Sequence, residues 1–315
     1  MKTLMQLLVA VAFLTAGASG TAIPPLPVDA ALKVIATTPT YGDLAREIGG
    51  ELVDVIDLCR ATQDMHMVGA TPSQMARMQD AGLVLYTGLD AEPWLEPMLR
   101  SSGNLALLPG NPHVIAMSDG IPVKEVPSEL TRANGDIHAY GNPHLWTDPL
   151  AVRTMADHVR DALLDSLPAH ADEINARAKA FHDRITARLV EWLKKYAPLK
   201  GRRVVTYHVA WPYLLDRFGI ELAGTVEPKP RVAPTASHLE KIVETMKSEH
   251  VNLIIREPFQ SPDATDFLGA QTGAKVLELA THPDAGGNGD AIIAHFEQVL
   301  ADIAAALGPA PGKEP

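Results

Sequence analysis

Residues 169–196 make a run of 28 positions without a proline or a glycine, dense in alanine, arginine, lysine and glutamate. Strong helix formers with no breaker predict one continuous helix. At 1.5 Å per residue it would span about 42 Å. Short apolar strands alternate with helical patterns on both sides of the run. A long surface helix of one domain is the plainer reading. The two similar α/β patterns that the run separates favour a rigid strut between two lobes.

In the first half, 32–36, 53–58, 83–86 and 105–108 read as strands, with helices over 41–48, 72–79 and 94–100. Thr71-Pro72-Ser73-Gln74 combines a capping box with proline at the first helical position. In the second half, 204–208, 221–226, 251–255 and 276–279 read as strands. Helices are expected over 212–218, 237–249 (opened by a Ser237–Glu240 capping box), 261–270 and 291–307. Asp148-Pro149 is a cap with a first-turn proline. Alternation of this kind implies parallel sheets flanked by helices, an α/β fold class. Segment 119–142 reads as a long mobile loop.

Met1-Lys2, the apolar stretch 4–14 and the small residues up to Ala22 read as a secretory signal peptide, with cleavage expected after Ala22 and Ala18 as the alternative. No cysteine stands at the cleavage region, so no lipid anchor is expected at that point. The expected division is 1–22 signal peptide, 23–167 first lobe, 168–197 linking helix, 198–309 second lobe and 310–315 disordered tail. The single cysteine, Cys59, cannot form an internal disulfide, and its run 53–59 reads as a buried strand end. The net charge of -11 argues against nonspecific nucleic-acid binding and weakly favours attraction of a divalent cation.

Three of the twelve histidines stand at strand ends or loop starts. They are His66 in Asp64-Met65-His66, His144 in Gly141-Asn142-Pro143-His144-Leu145-Trp146-Thr147-Asp148-Pro149, and His208 closing Val204-Val205-Thr206-Tyr207-His208. Ligands in open α/β sheets bind beyond the carboxyl ends of strands, so these imidazoles can converge on one ion. Imidazole suits zinc, which prefers four tetrahedral ligands. His158, His170, His182, His238, His250 and His295 lie on expected helices among polar neighbours and read as surface residues. His113 sits in a loop with no partner pattern. His138, six residues before His144 at the exit of the loop, is intermediate between these groups and can serve as an auxiliary or entry-site ligand.

Together these motifs resemble those of the cluster A-I solute-binding proteins, the ZnuA/TroA-like metal receptors of ABC importers. The likeness covers essentially the whole mature chain, linking helix included. The Gly135-Asp136-Ile137-His138 run, without a long histidine-rich tract, most resembles the AztC type within that group. The resemblance implies two parallel-sheet lobes joined by a backbone helix, one buried metal between them, and His66, His144 and His208 as ligands. A fourth ligand is expected from the loop Thr281-His282-Pro283-Asp284-Ala285-Gly286-Gly287. Asp284 is the choice, with His282 or water as alternatives, and Glu257 is expected behind the ligands. The sequence departs from the family at Met65 and at Gly69-Ala70, which leaves the shape of the first loop open.

The function so implied is a periplasmic, monomeric protein that captures one Zn2+ and passes it to an ABC permease. A periplasmic metallochaperone is a conceivable zinc source. A closed shell of imidazoles and one carboxylate fits carriage rather than catalysis, so no enzyme is expected. The rival readings are a zinc hydrolase or lyase using three histidines and water, and an adhesin in which zinc is structural. No His-Glu-x-x-His helix stands in the sequence to support the first.

Overall fold

The computed structural model describes residues 31–69, 71–108, 110–127 and 138–309. The expected signal peptide, residues 128–137 of the expected mobile loop and the tail from 310 lie outside these residues. The first lobe runs β1 (Leu32–Ala36), α1 (Pro39–Gly49), β2 (Val53–Asp57), α2 (Pro72–Gln79), β3 (Leu83–Tyr86), α3 (Leu95–Ser102) and β4 (Val114–Ala116). Two helices follow, α4 (Pro149–Ser166) and α5 (Ala171–Lys195). The second lobe runs β5 (Arg203–Thr206), α6 (Pro212–Arg217), β6 (Glu221–Thr225), α7 (Ala236–Ser248), β7 (Leu253–Arg256), α8 (Asp263–Thr272) and β8 (Lys275–Glu278), and α9 (Gly289–Leu307) ends the description.

Each lobe holds a four-stranded parallel sheet, ordered β2-β1-β3-β4 in the first and β6-β5-β7-β8 in the second. The period-two alternation of strand side chains sorts residues between two faces. Val34, Ala36, Leu83 and Leu85 join one core, whereas Ile35 and Val84 join another with Met78 of α2 and Leu95, Met98 and Leu99 of α3. The second sheet repeats this. Val204, Leu253 and Ile255 face the first of these cores, and Val205 and Ile254 face Ile242 and Met246 of α7 and Leu268 of α8.

The inward core is therefore shared. It runs unbroken from Tyr41 and Leu44 of α1 through Val152 and Met155 of α4, Phe181 and Trp192 of α5, and Phe296 of α9 to the second sheet. The buried residues of α5 are Ile174, Ala178, Phe181, Ile185 and Trp192, one stripe at helical spacing, so its other sides face water. Helix α9 packs on α1 and α5 as well as on β8. A dry core common to both lobes resists their opening as independent rigid bodies.

Several expectations are corrected. The long helix is 25 residues, about 37 Å, because Pro168–His170 forms a separate 3-10 turn before it. The expected strand 105–108 is a 3-10 turn over Leu105–Leu107, since the Asn104 side chain caps Ala106 N and also donates to the carbonyls of Met78 and Ala81. The edge strand is β4 instead, paired with β3. Helix α7 is capped by Thr235, not Ser237, with Thr235 Oγ1 accepting from His238 N at 3.2 Å. The Thr71 capping box and the Asp148 cap form as expected.

Candidate metal centre

In both strand orders the chain reverses direction beside the first strand, so the crevices open at the carboxyl ends of β1 and β3 and of β5 and β7. His66 lies in the loop after β2. Its neighbours Met65 and Val68 are buried in the core, and Trp94 Nε1 donates to Met65 O at 2.9 Å. These contacts leave His66 one orientation. Its Nδ1 donates to the Ala91 carbonyl at 2.8 Å.

Ala91 is presented by a strained turn: Leu89 and Asp90 have φ of 56° and 57°, the left-handed region that side chains disfavour. The buried Glu92 carboxylate holds that turn, accepting from Thr37 Oγ1 at 2.8 Å and Thr87 N at 2.7 Å. Burial pushes the Glu92 carboxyl up to about 6.

His144 is buried ahead of a 3-10 turn whose Leu145 and Trp146 enter the core. Its Nδ1 donates to Asn142 Oδ1 at 2.9 Å, and its backbone N to the same oxygen at 3.0 Å. Asn142 is itself pinned, because its Nδ2 donates to Val209 O at 2.7 Å and to Glu125 Oε2 at 2.8 Å. One amide thus ties the His144 turn to the His208 loop. His208 follows β5, and its Nδ1 donates to Glu227 Oε2 at 2.9 Å.

With each Nδ1 spent on an oxygen acceptor, each Nε2 keeps its lone pair for a metal. The three histidines place one nitrogen each within 4.8 Å of one another. His66 Nε2 and His144 Nε2 are 3.3 Å apart. Two nitrogens bound to zinc at 2.0–2.1 Å in a tetrahedron lie roughly 3.3 Å apart, so this pair already has the spacing of a zinc edge. His208 Nε2 is buried and has no hydrogen-bond partner among the described residues. The donor set and its geometry fit a divalent metal.

Burial, and then the neighbouring imidazoles His208 and His66, hold His144 well below the ordinary imidazole range. Burial also lowers His66. At His208 burial lowers as well, but the Glu227 hydrogen bond and the charges of Glu257 and Glu227 outweigh it and raise the group.

The cluster lines a cavity of about 230 Å³. Glu257, expected behind the ligands, is in its wall: Oε1 accepts from Trp211 Nε1 at 2.7 Å, while Oε2 is buried with no partner among the described residues. Burial pushes Glu257 up to about 7. His282 is also in the wall, stacked on Trp146 with centroids 4.6 Å apart and planes at 16°. Its Nδ1 is 2.9 Å from Thr40 Oγ1 and its Nε2 has no partner.

Asp284 is not brought to the cluster. Its side chain is exposed and does not line the cavity. The His138 ring stacks obliquely on His66 at 4.8 Å, and burial, then His66 and His208, push it down to about 4. His295, expected at the surface, is half-buried on α9 and hydrogen-bonded to the Thr281 backbone.

Glu227 and the linking role of Asn142 were not singled out in the sequence. Glu227 stands two residues after β6, so the carboxyl-end rule that found His208 points to it too.

Two parallel-sheet lobes on a shared helical spine, with three imidazoles converging in the cleft, define a two-lobed binding protein with a metal-ligating site. The chain belongs to the ZnuA family, described as the periplasmic component A of the zinc-uptake complex, whose sequence model matches residues 34–306. These are solute-binding proteins of transporters, not enzymes. The chain is 22% identical over 272 residues to the zinc-binding lipoprotein AdcA of Streptococcus pneumoniae, covering 81% of this chain and 52% of AdcA. It is 24% identical over 254 residues to the iron-binding protein YfeA of Yersinia pestis, covering 77% and 75%. A crystal structure of ZnuA superposes with a TM-score of 0.73 at 22% identity, covering 87% of this chain and all of that one.

Proposed function

We propose that this protein captures one Zn2+ with His66, His144 and His208 and hands it to the permease of an ABC importer. The observation that carries this is the shared tautomer: three Nδ1–H groups are fixed by Ala91 O, Asn142 Oδ1 and Glu227 Oε2, which turns three lone pairs to one point. Nitrogen donors favour zinc over manganese. The family description and the name of AdcA point to zinc, whereas the name of YfeA points to iron.

The fourth donor in this reading is Asp284, turned inward within the loop after β8 while Gly286 and Gly289 keep their contacts with the first lobe. His282 and water are the alternatives, and His282 needs the least movement, since its ring already stands in the wall. The protein is exported with a cleaved signal peptide and works as a monomer.

A competitive metal titration of the chelator-stripped protein against a chromophoric chelator tests this. One tight zinc per chain, much weaker manganese and iron, and a large loss in His208→Ala are expected. Equal affinity for manganese, or a His208→Ala variant as tight as the parent, would overturn the zinc assignment.

A further inference from the structure

The loop between β8 and α9 carries His282 and Asp284, and the backbone amides of Gly286, Gly287 and Gly289 lie at its end. Three carboxylates of the first lobe meet them. Gly286 N donates to Asp57 Oδ2 at 3.2 Å, and Gly289 N donates to Glu47 Oε2 at 3.0 Å. Gly287 lies against Asp43 Oδ2, a buried oxygen that makes no hydrogen bond among the described residues. Thr40 Oγ1 holds His282 Nδ1 on the same loop.

Thr40, Asp43 and Glu47 are spaced i, i+3 and i+7, one stripe along α1. The carboxylates are backed by two arginines, Arg46 on Asp43 and Asp57 at 3.0 and 2.7 Å, and Arg184 on Glu47 at 2.7 Å.

The approach is close enough to need glycine. A Cβ on Gly287 would stand 2.9 Å from Asp43 Oδ2, and one on Gly289 would stand 2.7 Å from Glu47 Oε2. The Asp43 side chain is fully buried and those of Asp57 and Glu47 are 6% and 12% exposed. Burying three acids beside two arginines is costly unless hydrogen bonds are made in return. Burial, then the Asp57 charge, raises Asp43 to about 7, a direct sign of that cost.

We infer that Thr40, Asp43 and Glu47 of α1, with Asp57 of β2, are positioning residues that seat the β8–α9 loop and so set how fast the metal leaves the cavity. The inference rests on the metal-binding reading above. Since the shared core disfavours a hinge, release has to run through a smaller element. This loop walls the cavity through Thr281 and His282, and it is held by polar contacts rather than by packing alone.

The test uses the full chain, loaded with zinc and mixed in stopped flow with excess chelator. Amide hydrogen exchange of residues 284–289 is followed in the metal-free protein. Glu47→Ala should expose the Gly289 amide to exchange and speed zinc release about tenfold, the worth of one charge-assisted hydrogen bond. Asp57→Ala should do the same at Gly286 and covers the case in which one variant fails to fold. Glu47→Gln keeps an acceptor oxygen and should release zinc within about twofold of the parent, whereas Glu47→Met fills the same space without an acceptor and should behave like Glu47→Ala.

Faster amide exchange with unchanged or slower release would overturn the inference, as would unchanged exchange in both variants. A parent that binds no zinc overturns the metal reading and with it the release half of the inference. The exchange data on the metal-free variants would still judge the seat itself.

Discussion

His66 Nε2 stands 3.3 Å from His144 Nε2, and neither nitrogen carries a proton, because the Nδ1 of each donates to an oxygen. Two lone pairs face each other across a hydrogen-bond distance with no hydrogen between them. That arrangement is stabilised by a cation placed between them. Protonation is the competing way to relieve it, and burial makes it costly at both rings. The site is thus biased toward a metal.

The acid limit of binding should be set by His208. Its raised value means that in the metal-free protein it gains a proton before His66 or His144 as pH falls. A proton on Nε2 excludes the metal, so zinc affinity is fully present above the His208 value and is lost as pH falls through it. Glu227→Gln removes the hydrogen-bonded charge that raises His208 and should move this limit to lower pH. Zinc affinity measured from pH 8 to pH 5 in both proteins checks the direction.

Asn142→Ala should weaken zinc binding about ten- to a hundredfold, the usual cost of losing the group that orients a metal-bound imidazole. Asn142→Asp keeps an acceptor for His144 Nδ1 but no donor for Val209 O, and should fall between. Chelator competition on the two variants gives the order. Equal affinities in all three proteins would show that the His144 orientation is held by its turn alone.

Phe181→Ala should cost about 3–5 kcal/mol, since the ring is fully buried where α5 meets the core common to both lobes. Because that core is shared, the loss should appear as one cooperative transition shifted to lower denaturant, with tryptophan fluorescence and circular dichroism coinciding. Two separated transitions would show that the lobes unfold independently.

Metal removal should lower thermal stability. A ligand that binds only the folded state adds about 2.7 kcal/mol at one hundred times its Kd. Calorimetry of zinc-loaded and chelator-stripped protein should show a higher Tm for the loaded form, and the gap should shrink in His208→Ala. A gap of the same size in that variant would place the stabilising zinc elsewhere.

Local chemistry was enough for much of this protein. Short continuous apolar runs marked seven of the eight strands among the described residues, because a strand buried on both faces has few other compositions open to it. The breaker-free run marked α5, and the spacing of His66, His144 and His208 at strand and loop ends marked the cluster.

What only the tertiary structure decided depends on groups distant in sequence. The stretch 105–108 became a turn because Asn104 found carbonyls on another element. His282 rather than Asp284 lines the cavity because Thr40 and Glu47 of α1 and Asp57 of β2, 229 to 242 residues earlier, hold the β8–α9 loop. The imidazole tautomers were set by Ala91, Asn142 and Glu227, partners that no periodicity announces. Periodicity reports which face of an element is buried, whereas a hydrogen-bond partner is chosen only when the chain has folded back on itself.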